Sequence, residues 1–277
     1  MRARVGLFAL VLLPGACFVS IDESLLDRAD ASGAPDGRAD DGPNGDGGTI
    51  TSDGGEGGGG GDADAASKCI VDDAGRFCDD FDVDDFGKRW SGFQINLGQA
   101  VLDDETWFSS PRSMKATLPP GDGTTERQAL LYQSFFRVGS KVNFVNCSMK
   151  IRVDMLDPNV PAPVMLIQRA SSKVFEQFLR IEATQAANQI AYDIVTDGGT
   201  QSTVFPFTKM AAGWRTLAFE MGEQSFVLIV DGIPTTSIPL LKQYLGAVMV
   251  LLGSSSKAPA AIGAHYDDFQ CTYGYGQ

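Results

Sequence analysis

From Cys69 onward, apolar and polar residues alternate with a period of two, the signature of strands with one buried face. Met149-Lys150-Ile151-Arg152-Val153 alternates cleanly. Between Phe178 and Glu182, Leu179 and Ile181 face one way and Arg180 and Glu182 the other. Thr216–Met221 sets Leu217, Phe219 and Met221 on one face and Thr216, Ala218 and Glu220 on the opposite one. Phe226–Val230 and Ala247–Leu252 are more continuously apolar, as strands deep in a sheet are. Turn residues punctuate these runs at Pro119–Gly123, Asp157-Pro158-Asn159, Asp197-Gly198-Gly199 and Asp231-Gly232. A brief helix is expected only near Leu240–Leu245. Strands without βα alternation predict an all-β, two-sheet antiparallel sandwich over 68–277.

The first quarter of the chain follows a different pattern. Arg2, Arg4 and the apolar run Val5–Leu13 predict an export signal over 1–17, because that run is too short to cross a bilayer as a helix. Residues 18–67 are rich in Gly and Asp and poor in aliphatic side chains. They bury too little apolar surface to offset the entropy of ordering, so a disordered tether is expected. Of the net charge of −13, eight negative charges fall on Asp27–Ala66, which leaves the sandwich only mildly acidic and without a basic patch. Phosphate binding needs clustered Lys and Arg, so nucleic acid is excluded as a partner.

Cys17, preceded by Gly15 and Ala16, resembles the lipobox cysteine of bacterial lipoproteins, although Pro14 stands where a leucine is usual. The resemblance implies a lipidated Cys17 whose lipid is the chain's only membrane attachment. Phe18 in place of an aspartate implies an outer-membrane address, with the domain facing periplasm or cell surface. Cys69, Cys78, Cys147 and Cys271 remain, an even number in an exported chain, which implies two disulfides with three pairings open. The short Cys69–Cys78 interval and the strand-like surroundings of Cys147 and Cys271 favour 69–78 with 147–271. With no CxxC and a single histidine, a zinc site is not expected.

Several segments then suggest a family. Phe77–Asp82 is followed by Trp90, then by Ser110–Lys115, Gly213–Leu217, Val230–Ile233 and finally Tyr266-Asp267-Asp268-Phe269. Their order resembles the concanavalin A-like lectin/glucanase superfamily, whose jelly roll is shared by laminin G-like domains. The resemblance implies that the first and last strands of the domain pair. Asp79 or Asp80 would then meet Asp267 or Asp268, and relatives often hold a structural calcium at that place through oxygen ligands.

The glucanase branch carries Glu-x-Asp-x-x-Glu on one strand, and this sequence has no such motif. A carboxylate pair for glycoside cleavage would have to come from separate strands, for instance Glu182 and Glu220 facing one groove. Trp107, in a polar loop-like stretch, is the aromatic best placed to stack on a sugar, and Arg180 points to groove or solvent. His265 reads as a hydrogen-bonded surface residue, and Tyr192 as core. The expected function is a non-catalytic, glycan-binding envelope lipoprotein, with Trp107, Arg180, Glu182 and Glu220 as candidate ligand contacts. The alternatives are a polysaccharide hydrolase or lyase of the same fold, and a structural or protein-interaction module.

Overall fold

A computed structural model describes residues 75–276, except 83–87, 138, 173–174, 211 and 242–245. The expected signal over 1–17, the lipidated Cys17, the tether over 18–67 and Cys69 lie outside the described residues. Those residues form fifteen strands. In chain order they are β1 (Arg76–Asp79), β2 (Gly92–Asn96), β3 (Gln99–Asp103), β4 (Ser113–Leu118) and β5 (Arg127–Phe136). Next come β6 (Lys141–Met155), β7 (Ala162–Ser172), β8 (Phe175–Ala183), β9 (Asn188–Thr196) and β10 (Gly199–Phe207). The last five are β11 (Arg215–Met221), β12 (Ser225–Val230), β13 (Ile233–Pro239), β14 (Ala247–Ser256) and β15 (Ile262–Gly276). Among the described residues there is no helix: Leu240 and Leu241 leave β13 in irregular backbone, and 242–245 lie outside the described set.

The strands form two antiparallel sheets packed as the sandwich that the alternation predicts, in the jelly-roll form that the family resemblance implies. The first sheet runs β13-β12-β11-β6-β15-β4-β3, with β1 also paired to β15, and the second runs β10-β9-β8-β7-β14-β5-β2. Inward residues of both sheets make one core, including Met149, Ile151, Ile167, Leu179, Ile181, Tyr192, Leu217, Phe219, Val250 and Tyr266. The turns use the residues that their geometry needs. Asp231 (φ 50°) and Gly232 (φ 79°) both take left-handed backbone between β12 and β13, the two-residue hairpin that matches strand twist. At one side of the sandwich the outermost strands carry proline: Pro206 in β10, and Pro234 and Pro239 in β13.

The chain's ends close the first sheet. Phe77 stands opposite Cys271 and Asp79 opposite Phe269 on paired β1 and β15, as the family resemblance implies. Asp79 Oδ1 accepts from Phe81 N at 2.8 Å, and Oδ2 accepts from Trp90 Nε1 at 2.7 Å. That local turn holds Phe81 in left-handed backbone (φ 59°). It drives Phe81 onto Trp90 (centroids 6.1 Å, stacked), which packs on Phe269 at 5.0 Å and edge-on to Phe77 at 5.1 Å. Cys147 on β6 faces Cys271 on β15, and the two form a disulfide spanning 124 residues of sequence. Cys78 is also disulfide-bonded, and its expected partner Cys69 is outside the described residues.

Removing the Cys147–Cys271 bond enlarges the conformational freedom of the unfolded chain. For a loop of this length the chain-entropy model gives about 4–5 kcal/mol. The double variant Cys147→Ala/Cys271→Ala is expected to lower the urea midpoint accordingly, while retaining the β-sheet circular dichroism of the parent.

Candidate functional site

The outer face of the second sheet is the unusual surface of the molecule. Because Leu179 and Ile181 on β8 point into the core, Phe178, Arg180 and Glu182 point outward. Cross-strand register places Arg180 between Leu166 on β7 and Ala191 on β9, and Phe178 between Gln168 and Asp193. On β14, Leu251 stands beside Leu166 and Met249 beside Gln168. These side chains face away from the partner sheet, yet Leu166, Gln168, Phe178, Ala191, Asp193, Met249 and Leu251 are all buried. A flat, uncovered sheet would leave them open to water, so we infer from their burial that this face is concave. The result is a groove with an apolar floor, the usual setting for a ligand held by a few placed polar groups.

Those polar groups are Arg180, Glu182, Asp193 and Gln189. Arg180 reaches Glu182 Oε1 at 3.3 Å with Nη1 and Asp193 Oδ2 at 2.9 Å with Nη2. Gln189 Nε2 donates to Glu182 Oε2 at 2.7 Å. Burial raises the Glu182 pKa, against the opposing pull of Arg180 and Gln189, and the Asp193 charge adds to the rise. Glu176, outward on the same strand, is also raised by burial, opposed by a hydrogen bond from Gln168. Desolvation penalises the charged form of a carboxylate, and salt bridging only partly restores it.

The sequence-derived candidates do not form one site. Arg180 and Glu182 lie together in the groove. Glu220 is exposed on the outward side of β11, opposite Asn146 and Val227, in the other sheet. The shared groove expected for Glu182 and Glu220 is therefore absent: alternation tells in from out but does not say which sheet a strand joins. Trp107 is 40% exposed in the β3–β4 loop, which rests on the first sheet. Asp193 was missed, although Ile190, Tyr192 and Ile194 facing the core already place it outward.

The outer face of the first sheet holds a second polar cluster. Asp267 on β15 is fully buried and accepts Phe108 N at 2.8 Å, Ser109 N at 2.9 Å and Ser109 Oγ at 3.0 Å. This clamps the loop that carries Trp107 and Phe108. Lys150 Nζ lies 4.2 Å from the Phe108 ring centroid, and Trp214 packs edge-on between Phe108 and His265. His265 is buried, in contrast to the surface position expected from sequence. Its Nε2 lies 2.7 Å from Asp103 Oδ2. Its Nδ1 lies 2.6 Å from Asp154 Oδ2, an ion-pair distance without hydrogen-bond alignment.

The four acids proposed for calcium divide by role. Asp79 turns inward to Trp90 and the Phe81 amide, and Asp267 is taken up by the 107–109 loop. Midway along β15 a bulge between Asp267 and Gln270 puts Asp268 in left-handed backbone (φ 48°), where it accepts Ser109 Oγ at 2.8 Å. Asp80 is buried, and its Oδ1 has no hydrogen-bond partner among the described residues. Asp82, which sequence reasoning missed, is pushed up to about 6, first by burial and then by the like charges of Asp80, Asp267 and Asp268. The orphaned Asp80 oxygen beside other carboxylates fits a hard cation. Among the described residues no three acid, histidine or cysteine side chains are spaced to hold a metal by themselves. A cation there would need backbone carbonyls as well.

A cavity of about 760 Å³ also opens at one end of the sandwich, lined by residues such as Ile151, Val153, Lys209 and Met210. Its walls include none of Arg180, Glu182 and Asp193.

No protein-family model and no curated protein matches the chain. Among solved structures, the cellulose induced protein Cip1 matches at 13% identity with a TM-score of 0.50, over 71% of this chain and 96% of that one. A 1,3-alpha-1,4-beta-D-galactose-4-sulfate-3,6-anhydro-D-galactose 4 galactohydrolase matches at 12% identity and a TM-score of 0.48, over 77% and 98%. The kappa-carrageenase from Pseudoalteromonas carrageenovora, in complex with an oligotetrasaccharide of kappa-carrageenan, matches at 11% and 0.46, over 76% and 100%. At such identities the likeness speaks to fold alone.

The His265 cluster has a measurable acid dependence through Asp103. Burial pushes the Asp103 carboxyl up, but hydrogen bonds from Glu105 N, His265 and Lys115 outweigh it and hold the pKa at about 2, below the ordinary 3.8. A depressed folded pKa stabilises the fold above the unfolded value, and that contribution disappears as pH falls through the folded one. Asp103→Asn is expected to lower the urea midpoint at pH 6, and the gap to wild type should close between pH 3.8 and about 2.

Proposed function

We propose that this domain binds glycan, without cleaving it, in the groove on the outer face of the second sheet. The observation that carries this is the Arg180–Glu182–Asp193–Gln189 group set on a buried apolar floor. Sugars combine donor-acceptor OH groups with apolar C–H faces. Carboxylate, guanidinium and amide groups suit the hydroxyls, and Phe178, Leu166 and Met249 suit the C–H faces. The fold shared with Cip1 is compatible with this role, and fold by itself does not fix function. The names of the galactohydrolase and the carrageenase describe those proteins.

A cleaving role is the second reading, favoured by the Glu182 carboxyl, raised by burial, lying on the same guanidinium as a second acid, Asp193, since glycoside hydrolysis uses a pair of carboxyl groups. Against it, one guanidinium pairs with both carboxylates and so favours their ionised forms over the protonated acid that cleavage needs. We also propose that the chain is an exported lipoprotein, anchored by a lipid on Cys17 in the outer membrane and held off it by residues 18–67. That part rests on the sequence alone.

A structural calcium belongs to the same proposal, held by the unpartnered Asp80 carboxylate together with backbone carbonyls. Bound there, it would offset the facing negative charges and tie the start of the domain to its last strand.

Arg180→Ala is expected to weaken glycan binding at least tenfold in calorimetric titration against a panel of soluble polysaccharides. The wild type should release neither reducing ends nor unsaturated products from the polymers that it binds. EGTA is expected to lower the melting temperature of the purified protein and calcium to restore it, and Asp80→Asn should remove that difference.

A further inference from the structure

We propose that the groove selects neutral glycans and rejects chains bearing carboxylate or sulfate groups; this deepens the glycan-binding reading above and rests on it. A sugar acid needs a cation with hydrogen-bond capacity to spare. The outward positions of β5, β7, β8, β9 and β14 whose side chains are described include one cation, Arg180. Both arms of its guanidinium are already directed at acids, Nη1 to Glu182 and Nη2 to Asp193. Its two Nη groups are thus paired with acids of the protein, and its unpartnered Nε is buried out of a ligand's reach, so the planar fork that makes arginine the usual partner of carboxylate and sulfate is not open to either.

The surrounding field has the same sign as such a ligand. Glu182 and Asp193 are buried, and Glu176 stands outward on the same strand. Like charges in a desolvated groove repel more strongly than in water, because the local dielectric is lower. A uronate or sulfate ester arriving beside Leu166 and Phe178 would lose its hydration, meet these carboxylates and find no open cation among the described residues. A neutral sugar loses none of this. Its hydroxyls donate to carboxylate lone pairs that Arg180 and Gln189 leave open, so the acids that exclude anions are the acceptors that hold it. A site whose buried polar groups must be matched by ligand hydroxyls discriminates strongly, since a ligand that fails to match leaves them unpaired.

The test compares like with like. Gluco-, manno- and galacto-oligosaccharides are titrated into the full chain, each beside its C6-oxidised uronate form, at constant ionic strength. Expected is binding of at least one neutral series at least tenfold tighter than its oxidised counterpart. Added salt should narrow the gap by screening the repulsion. Asp193→Asn removes one acid and releases one arm of Arg180, so it should bring the ratio below threefold; Glu182→Gln provides a second variant should that one misfold. Equal or tighter binding of the oxidised forms by wild type would overturn the selectivity and leave glycan binding standing. A ratio unchanged in both folded variants would overturn the assignment to these residues. Binding of neither series would remove the glycan reading and this inference together.

Discussion

The final strand, β15, is the element through which the rest of the molecule is held. It pairs with β1, β4 and β6, so that the start of the domain, an early hairpin and the long central strand all hydrogen-bond to one segment. Its inward side gives the core Tyr266 and Phe269 and the disulfide Cys271, while its outward side gives His265 and Asp267. Contacts that close such long loops are entropically costly to form and are therefore made by strong, redundant means. Here these are a ladder, an aromatic cluster and a covalent bond.

The two outer faces spend their polar groups differently. On the first sheet, Asp267 and the His265–Asp103–Asp154 cluster fasten loops and neighbouring strands. Nearly every charge there faces a partner within the protein, and Trp107 and Phe108 sit on top of that fixed platform. On the second sheet, the charged group of Arg180, Glu182 and Asp193 lies over buried apolar side chains that belong to no loop anchor. A buried ion group of this kind adds little to stability by itself, because desolvation offsets the attraction. That cluster over an apolar floor is the feature on which the proposed glycan site rests.

Much of the fold can be read from alternation. Leu179 and Ile181 against Arg180 and Glu182, or Leu217 and Phe219 against Glu220, sort correctly into inward and outward positions, and turn residues mark the hairpins. The same pattern already pointed Asp193 outward, between inward Tyr192 and Ile194. What local pattern does not contain is long-range pairing. Glu182 and Glu220 look equivalent in sequence, yet β8 joins β7 and β9 whereas β11 joins β6 and β12. The clamp of Asp267 on Ser109 spans 158 residues, and the burial of His265 depends on Asp103 from an equally distant strand. Such contacts exist only after the chain has been folded back on itself.

Pro206, Pro234 and Pro239 break the row of amide donors along one rim of the sandwich. An incoming strand from a neighbouring molecule would find gaps where it needs partners for its carbonyls. Between crowded copies, lateral growth through that rim is therefore disfavoured: there the sheet is built to end.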